Sequence, residues 1–323
     1  MHVFRGFHHR LLAPRTALTI GNFDGVHRGH QAMLQQLVQT ARSRALIPTV
    51  LTFEPHPRDF FATLQGHTEF APRHISTLRD KLCALRDAGV QQVVVLRFDR
   101  NLAALSPADF VERIVLDGLK AQYVLVGDDF RFGAKRAGDF SQLETLLRQS
   151  GAEAQQMPVV METSLRISSS AVRDALKRGD MEAAERLLGR SYAISGHVMH
   201  GAKLGRQLGF PTLNLRFDSA RPALGGIFVA RVFGLQDSPL QAVASLGTRP
   251  AVEAQGRVLL ETHVFDWRGD AYGKLVRVDL LHKLRDEAHY PDLDQLTAAI
   301  QKDSDQARAW FAQLARQTTR DRI

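Results

Sequence analysis

Strand-like and helix-like segments alternate along the first half of the chain and stop alternating near residue 188. That break constrains the fold more than any other feature. An apolar run at residues 17–20 precedes Met33, Leu34, Leu37, Val38 and Ala41 at helical spacing. A second strand is expected at 49–53, then a helix marked by Leu78, Leu82 and Leu85 that stops at Ala88-Gly89. The β-branched stretch 90–98 reads as a strand, and Ser106-Pro107 with Asp109 and Glu112 starts another helix. A further strand at 123–126 runs into Gly127. Repeated strand–helix–strand units imply a parallel sheet with helices on both faces. Such sheets bind ligands beyond the C-terminal ends of their strands.

After a helical stretch at 171–188, short β-rich runs appear at 192–199, 226–233, 242–246, 258–265 and 275–281. Gly and Pro clusters separate them, the pattern of an antiparallel sheet or barrel. One long helix follows, with Leu293, Leu296, Ile300 and Trp310 available to pack on it. At 323 residues there is room for two domains, expected at 1–184 and 185–323.

The first half carries Thr19-Ile20-Gly21-Asn22-Phe23-Asp24-Gly25-Val26-His27-Arg28-Gly29-His30 at a strand-to-helix turn. Gly21, Gly25 and Gly29 permit tight turns and close approach to a ligand. The helix start that follows favours anions. His27 and His30 stand where they could stabilise charge on a transferring phosphate. As a metal pair they lack further ligands at a useful spacing. No GxxxxGK[ST] loop occurs; residues 269–274 fail on spacing and on the missing hydroxyl.

In the second half Gly201, Gly205 and Gly209, with Lys203 and Arg206, form a basic, glycine-rich loop of a kind that can fold over phosphates. Pro211 follows, and then Thr212 and Asn214, two residues apart on one side of an extended strand. Their oxygens suit Mg²⁺.

The N-terminal segment resembles the HxGH nucleotidyltransferases, and its longer form GxFDGxHxGH resembles the prokaryotic bifunctional riboflavin kinase/FAD synthetase family. Glu54-Pro55-His56-Pro57, the run from Val126 through Asp129 and Phe130 to Gly133, and Arg166-Ile167-Ser168-Ser169-Ser170-Ala171-Val172-Arg173 agree, with Ser170 where the family usually has Thr. Pro211-Thr212-Leu213-Asn214 resembles the Pro-Thr-Ala-Asn motif of riboflavin kinases, with Leu213 replacing Ala. The resemblance implies a Rossmann-like nucleotidyltransferase domain followed by an antiparallel β-barrel kinase domain with a C-terminal helix. It implies ATP-dependent phosphorylation of riboflavin to FMN and adenylylation of FMN to FAD. His27 and His30 would hold ATP phosphates; Ser168, Ser169 and Arg173 would meet nucleotide phosphates; Asp129 and Phe130 would shape the flavin side. Glu261 matches the family's catalytic base.

The net charge of +8 is spread without a basic tail, which suits nucleotide substrates better than nucleic acid. The single cysteine, Cys83, forms no internal disulfide and reads as a buried structural thiol, consistent with a reducing cytoplasm. No run of about 18 apolar residues occurs, so no membrane helix is expected. The basic stretch 1–15 lacks the apolar core of a secretory signal, and a monomer is expected. The rival readings are a chain keeping one of the two activities, another HxGH nucleotidyltransferase, and a non-catalytic flavin- or RNA-binding regulator. Complete motif sets in both halves disfavour all three.

Overall fold

The computed structural model describes residues 1–158, 160–162, 165–201, 204–217, 222–248 and 258–320. The chain divides into two compact units, Met1–Pro72 with Lys81–Ser168, and Arg73–Asp80 with Ser169–Ile323.

The first unit holds a fully parallel sheet ordered β1 (His2–Arg5), β4 (Gln92–Arg97), β3 (Ile47–Glu54), β2 (Thr16–Ile20), β5 (Ala121–Gly127), β6 (Glu153–Met157). Its helices are α1 (Arg28–Ser43), α2 (Pro57–Leu64), α3 (Leu78–Asp87, entering from the other unit), α4 (Arg100–Ala104), α5 (Pro107–Asp109, continuing as a π-helix over Phe110–Gly118) and α6 (Phe140–Gln149). One face of the sheet packs Leu18, Val94 and Val124 against Phe110, Ile114 and Leu143. The other packs Val50 and Val93 against Leu34 and Leu85, and Ala17 and Tyr123 against Leu37. The chain moves from β2 outward to β3 and β4, then returns to the far side of β2 with β5. The sheet reverses direction of growth between β2 and β5, and ligand crevices open at such a point. The edge strands β1 and β6 were not expected, because His2–Arg5 is short and Glu153–Met157 is largely polar. Cys83, on α3, is half-buried rather than buried.

The strands of the second unit are antiparallel, in the order β10 (Thr212–Arg216), β13 (Val258–Val264), β12 (Leu240–Thr248), β11 (Gly226–Phe233), β14 (Leu275–Arg285), β9 (Tyr192–His197). Just past β9, Met199 N donates to Asn214 O of β10 at 2.9 Å, which nearly closes the sheet into a barrel. A short hairpin, β7 (Met161–Glu162) with β8 (Leu165–Arg166), ends the first unit. The helical stretch expected at 171–188 is two helices, α7 (Ser169–Arg178) and α8 (Met181–Leu188), broken at Gly179, whose φ of +74° favours glycine. Val172, Leu176, Met181 and Leu188 from these helices, with Ile75, share a core with Leu213, Phe228, Leu246 and Leu260 of the barrel. A short helix α9 (Leu204–Gln207) precedes β10, and α10 (Leu293–Arg320) ends the fold. Ala307 and Phe311 of α10 pack on Val229, Val243 and Phe265, with Trp310 half-buried beside them. Leu296 and Ile300 are half-buried, but Leu293 is 54% exposed. It lies in the first turn of α10, well before the residues that pack, so its expected contact with the barrel is not made.

Candidate active sites

In the first unit the turn after β2 stands at the reversal point of the sheet. Gly21 N donates to Leu51 O at 3.0 Å, which fixes the exit of the strand. Phe23 (φ 50°), Gly25 (φ 82°) and Val26 (φ 40°) are all left-handed. For Phe23 and Val26 that conformation is strained. Both are held there by burial among Leu34, Val50, Val93 and Val95. The turn delivers His27 as the N-cap of α1, its Nδ1 accepting from His30 N at 3.3 Å. The His27 and His30 rings stack with centroids 3.7 Å apart. A side chain on residue 29 would meet the His27 ring at 3.2 Å and Ile167 O at 3.4 Å, so the glycine of the HxGH pattern makes room for the folded-back imidazole. Burial, then the neighbouring charges of His27 and Lys81, hold the His30 imidazole well below its ordinary value. Its enclosed Nδ1 and the enclosed Oδ1 of Asn22 have no hydrogen-bond partner. Unmatched buried polar atoms are uncommon and mark places where a ligand could complete the set.

The end of β5 supplies the other wall. Arg166 pairs with Asp128 at 3.0 Å and reaches Asp129 at 3.5 Å, which brings two of the expected residues together. Phe130 stacks on Phe132 with centroids 5.4 Å apart. Ser168 closes this unit. Ser169 and Arg173 belong to α7 in the second unit, where Arg173 Nε donates to Arg73 O at 2.7 Å. Two features were not anticipated from sequence. Phe53, Phe60, Phe61 and Phe98 form an aromatic cluster beyond β3 and β4, with centroids 5.4–5.8 Å apart. Lys81 of α3 is buried, and burial lowers its ammonium from the ordinary value against the opposing charges of Glu54, Asp24 and Asp59. Lys81 lies three residues after Leu78 and four before Leu85, so the helical spacing already turns it toward the apolar face of α3.

In the second unit, β10 and β13 place Asn214 directly opposite Glu261, and β12 places Ser245 on Glu261's other side. Directly opposed residues stand about 5 Å apart at Cβ. Thr212 shares this face, while Leu213, Leu260 and Thr262 point into the barrel and are buried. The larger Leu213 is therefore absorbed by the core. Asn214 is buried, with its Oδ1 unpartnered and Nδ2 donating to Thr212 O at 3.4 Å. A side chain at residue 201 would strike the Asn214 amide at 2.6 Å, so Gly201 gives that amide its space. Phe210 N donates to Gly205 O at 2.7 Å, and Gly209 turns with φ +88°. Arg206 and Pro211 are exposed, and the Pro211 carbonyl accepts from His263 Nδ1 at 2.9 Å. Lys203 lies outside the described residues. A side chain at residue 247 would meet the Glu287 carboxylate.

Two family descriptions match in chain order: FAD synthetase over residues 10–171 and riboflavin kinase over 188–311. The bifunctional riboflavin kinase/FMN adenylyltransferase of Escherichia coli (strain K12) is 43% identical over 313 residues, covering 96% of this chain and 98% of that protein. The chain belongs to the bifunctional riboflavin kinase/FMN adenylyltransferase family. The Haemophilus influenzae member is 39% identical over 312 residues, covering 96% and 99%. A solved structure described as a macrolide-efflux protein from Streptococcus pneumoniae matches with a TM-score of 0.76 and 27% identity, over 95% of this chain and 99% of its own. Among the described residues no helix is long and apolar enough to cross a membrane. The chain is thus both an FMN adenylyltransferase, in its N-terminal part, and a riboflavin kinase, in its C-terminal part.

Proposed function

We propose that the chain uses ATP twice on one flavin. Residues 185–323 phosphorylate riboflavin, and residues 1–184 adenylylate the resulting FMN with release of pyrophosphate. The observation that supports this reading most is the row Asn214–Glu261–Ser245, with Thr212 on the same face. It sets a candidate base beside oxygen ligands in one place. Glu261 takes the proton of the riboflavin 5′-hydroxyl as the γ-phosphoryl group arrives. The Thr212 hydroxyl and the unpartnered Asn214 Oδ1 would hold Mg²⁺. When bound, that ion neutralises charge on the phosphates. Gly201, Gly205 and Gly209, with Arg206, border the ATP.

In the adenylyl step His27 and His30 hold ATP phosphates at the start of α1, and the FMN phosphate is placed in line with the α-phosphorus. Little covalent work falls to the protein, so positioning and charge stabilisation dominate. The aromatic cluster of Phe53, Phe60, Phe61 and Phe98, with Phe130, offers apolar faces for the flavin. The chain acts as a cytoplasmic monomer, and its basic charge serves nucleotide substrates rather than nucleic acid.

Riboflavin incubated with the purified protein, ATP and Mg²⁺ should yield FMN and then FAD on chromatography. Omission of ATP or of Mg²⁺ should stop both. Product formation without ATP would overturn the reading.

A further inference from the structure

His263 stands where the kinase row meets the core beneath α10. The register sets it directly opposite Thr212 of β10, and it shares a face of β13 with Glu261. Its ring is held on two sides. It meets Phe265 edge to face with centroids 5.7 Å apart, and Phe210 likewise at 5.5 Å. Phe265 is buried and packs with Val243 of β12 and with Ala307 and Phe311 of α10, so that side is a fixed wall. On a third side the imidazole Nδ1 donates to the Pro211 carbonyl at 2.9 Å. A carbonyl oxygen only accepts, so the proton of this bond sits on Nδ1. We propose that His263 is a positioning residue for riboflavin phosphorylation, a strut that ties the end of the glycine-rich loop to the barrel and so fixes the Thr212 hydroxyl for Mg²⁺.

The surroundings of Pro211 show why a strut is needed. Pro211 is exposed, has no N–H to give to a ladder, and comes two residues after Gly209, which turns with φ +88°. Before it, Phe210 N donates to Gly205 O, which ties the loop to itself. Thr212 begins β10, and the His263–Pro211 bond joins the residue before it to β13. Asn214 is held from the other side, its carbonyl accepting from Met199 N at 2.9 Å, so the strut serves the Thr212 end of the pair. Groups that bind a metal are oriented by the hydrogen bonds around them, and small displacements of such groups are costly. A histidine that only filled space would be replaced by phenylalanine with little effect, because phenylalanine keeps both edge contacts.

This role of His263 rests on the reading of Thr212 and Asn214 as Mg²⁺ ligands. The test uses full-length His263→Phe, which keeps the ring and loses the donor, and His263→Asn, whose amide can donate as Nδ1 does. In His263→Phe the Mg²⁺ concentration for half-maximal FMN formation should rise about 10–10²-fold, the scale of a lost partner around a metal site. Its kcat at saturating Mg²⁺ should stay near that of the parent, and FAD synthesis from added FMN should be unchanged. Mn²⁺ binding with ADP present, read without turnover from the EPR signal of the free ion, should lose the same share as in Thr212→Ala. His263→Asn should restore most of the Mg²⁺ response and of the Mn²⁺ binding. A parent-like Mg²⁺ demand in His263→Phe overturns the proposal, as does equal damage in both variants, or a fall in kcat with unchanged Mg²⁺ demand. In the parent protein, long-range ¹H–¹⁵N NMR should find the His263 Nδ1 protonated. A ring protonated at Nε2 alone overturns the proposal even if neither variant folds. Thr212→Ala separates the two layers. A parent-like Mg²⁺ demand there removes the metal reading, whereas a raised demand in Thr212→Ala beside a parent-like His263→Phe removes only the role of His263.

Discussion

The His27 ring fits because residue 29 has no side chain, and much of the adenylyl site depends on spacings of that size. Gly29→Ala would put a methyl group 3.2 Å from the ring. It should reduce FAD synthesis by about 10²-fold, as expected of a displaced reacting group, while FMN synthesis continues; flavin chromatography of each product checks it. His27→Ala should lose about 10²–10³ in FAD formation for want of charge stabilisation. His30 makes a prediction about stability. The folded protein holds this ring below its ordinary value, so the unfolded chain takes up the proton first as pH falls. Its contribution to stability is therefore complete above about pH 6.5 and is lost as pH drops below that. The urea midpoint should fall between about pH 7 and pH 5.5, and His30→Asn should remove part of that fall. An unchanged pH slope in the variant would show that His30 does not carry it.

At the scale of elements, β10, β12 and β13 assemble the kinase row, because register alone puts Asn214, Glu261 and Ser245 side by side. Glu261→Gln should cost riboflavin phosphorylation roughly 10²–10⁴ in rate, leave riboflavin binding intact and spare FAD synthesis from added FMN. A rate near that of the parent would return Glu261 to the ordinary strand carboxylates. Gly201→Ala should damage the same reaction through the Asn214 amide and raise the Mg²⁺ concentration needed, measured by titration with the metal. The sequence revealed the alternation of Thr212 and Asn214 against Leu213 because a strand has period two. It could not reveal which strand would stand beside β10, because pairing is decided by long-range packing. The same limit explains the polar edge strand β6, which leaves no periodic apolar signal and whose position depends on neighbours far along the chain.

The two units of the whole molecule do not coincide with the two halves of the sequence. Val172, Leu176 and Met181 of α7 and α8 are buried with the barrel core. At about 1.5–3 kcal/mol for each fully buried apolar side chain, these three alone represent about 5–9 kcal/mol. That is comparable with the total stability of an ordinary domain. A fragment of residues 169–323 should accordingly melt at a clearly higher temperature than one of residues 185–323. Both should lack FAD synthesis, and the longer should make FMN more reliably. Equal melting temperatures would show that the helices add nothing to the barrel. Even the longer fragment lacks Ile75, which is buried in the same core. Segment 73–80 is also bound into the second unit through Ala223 N to His74 O at 3.0 Å and Ser195 N to Asp80 Oδ2 at 3.2 Å. No single cut in the gene can therefore give each unit its own complete residues. On the ribosome, these eight residues emerge with the first unit and must wait for nearly the whole remaining message to be translated before the core they belong to can close.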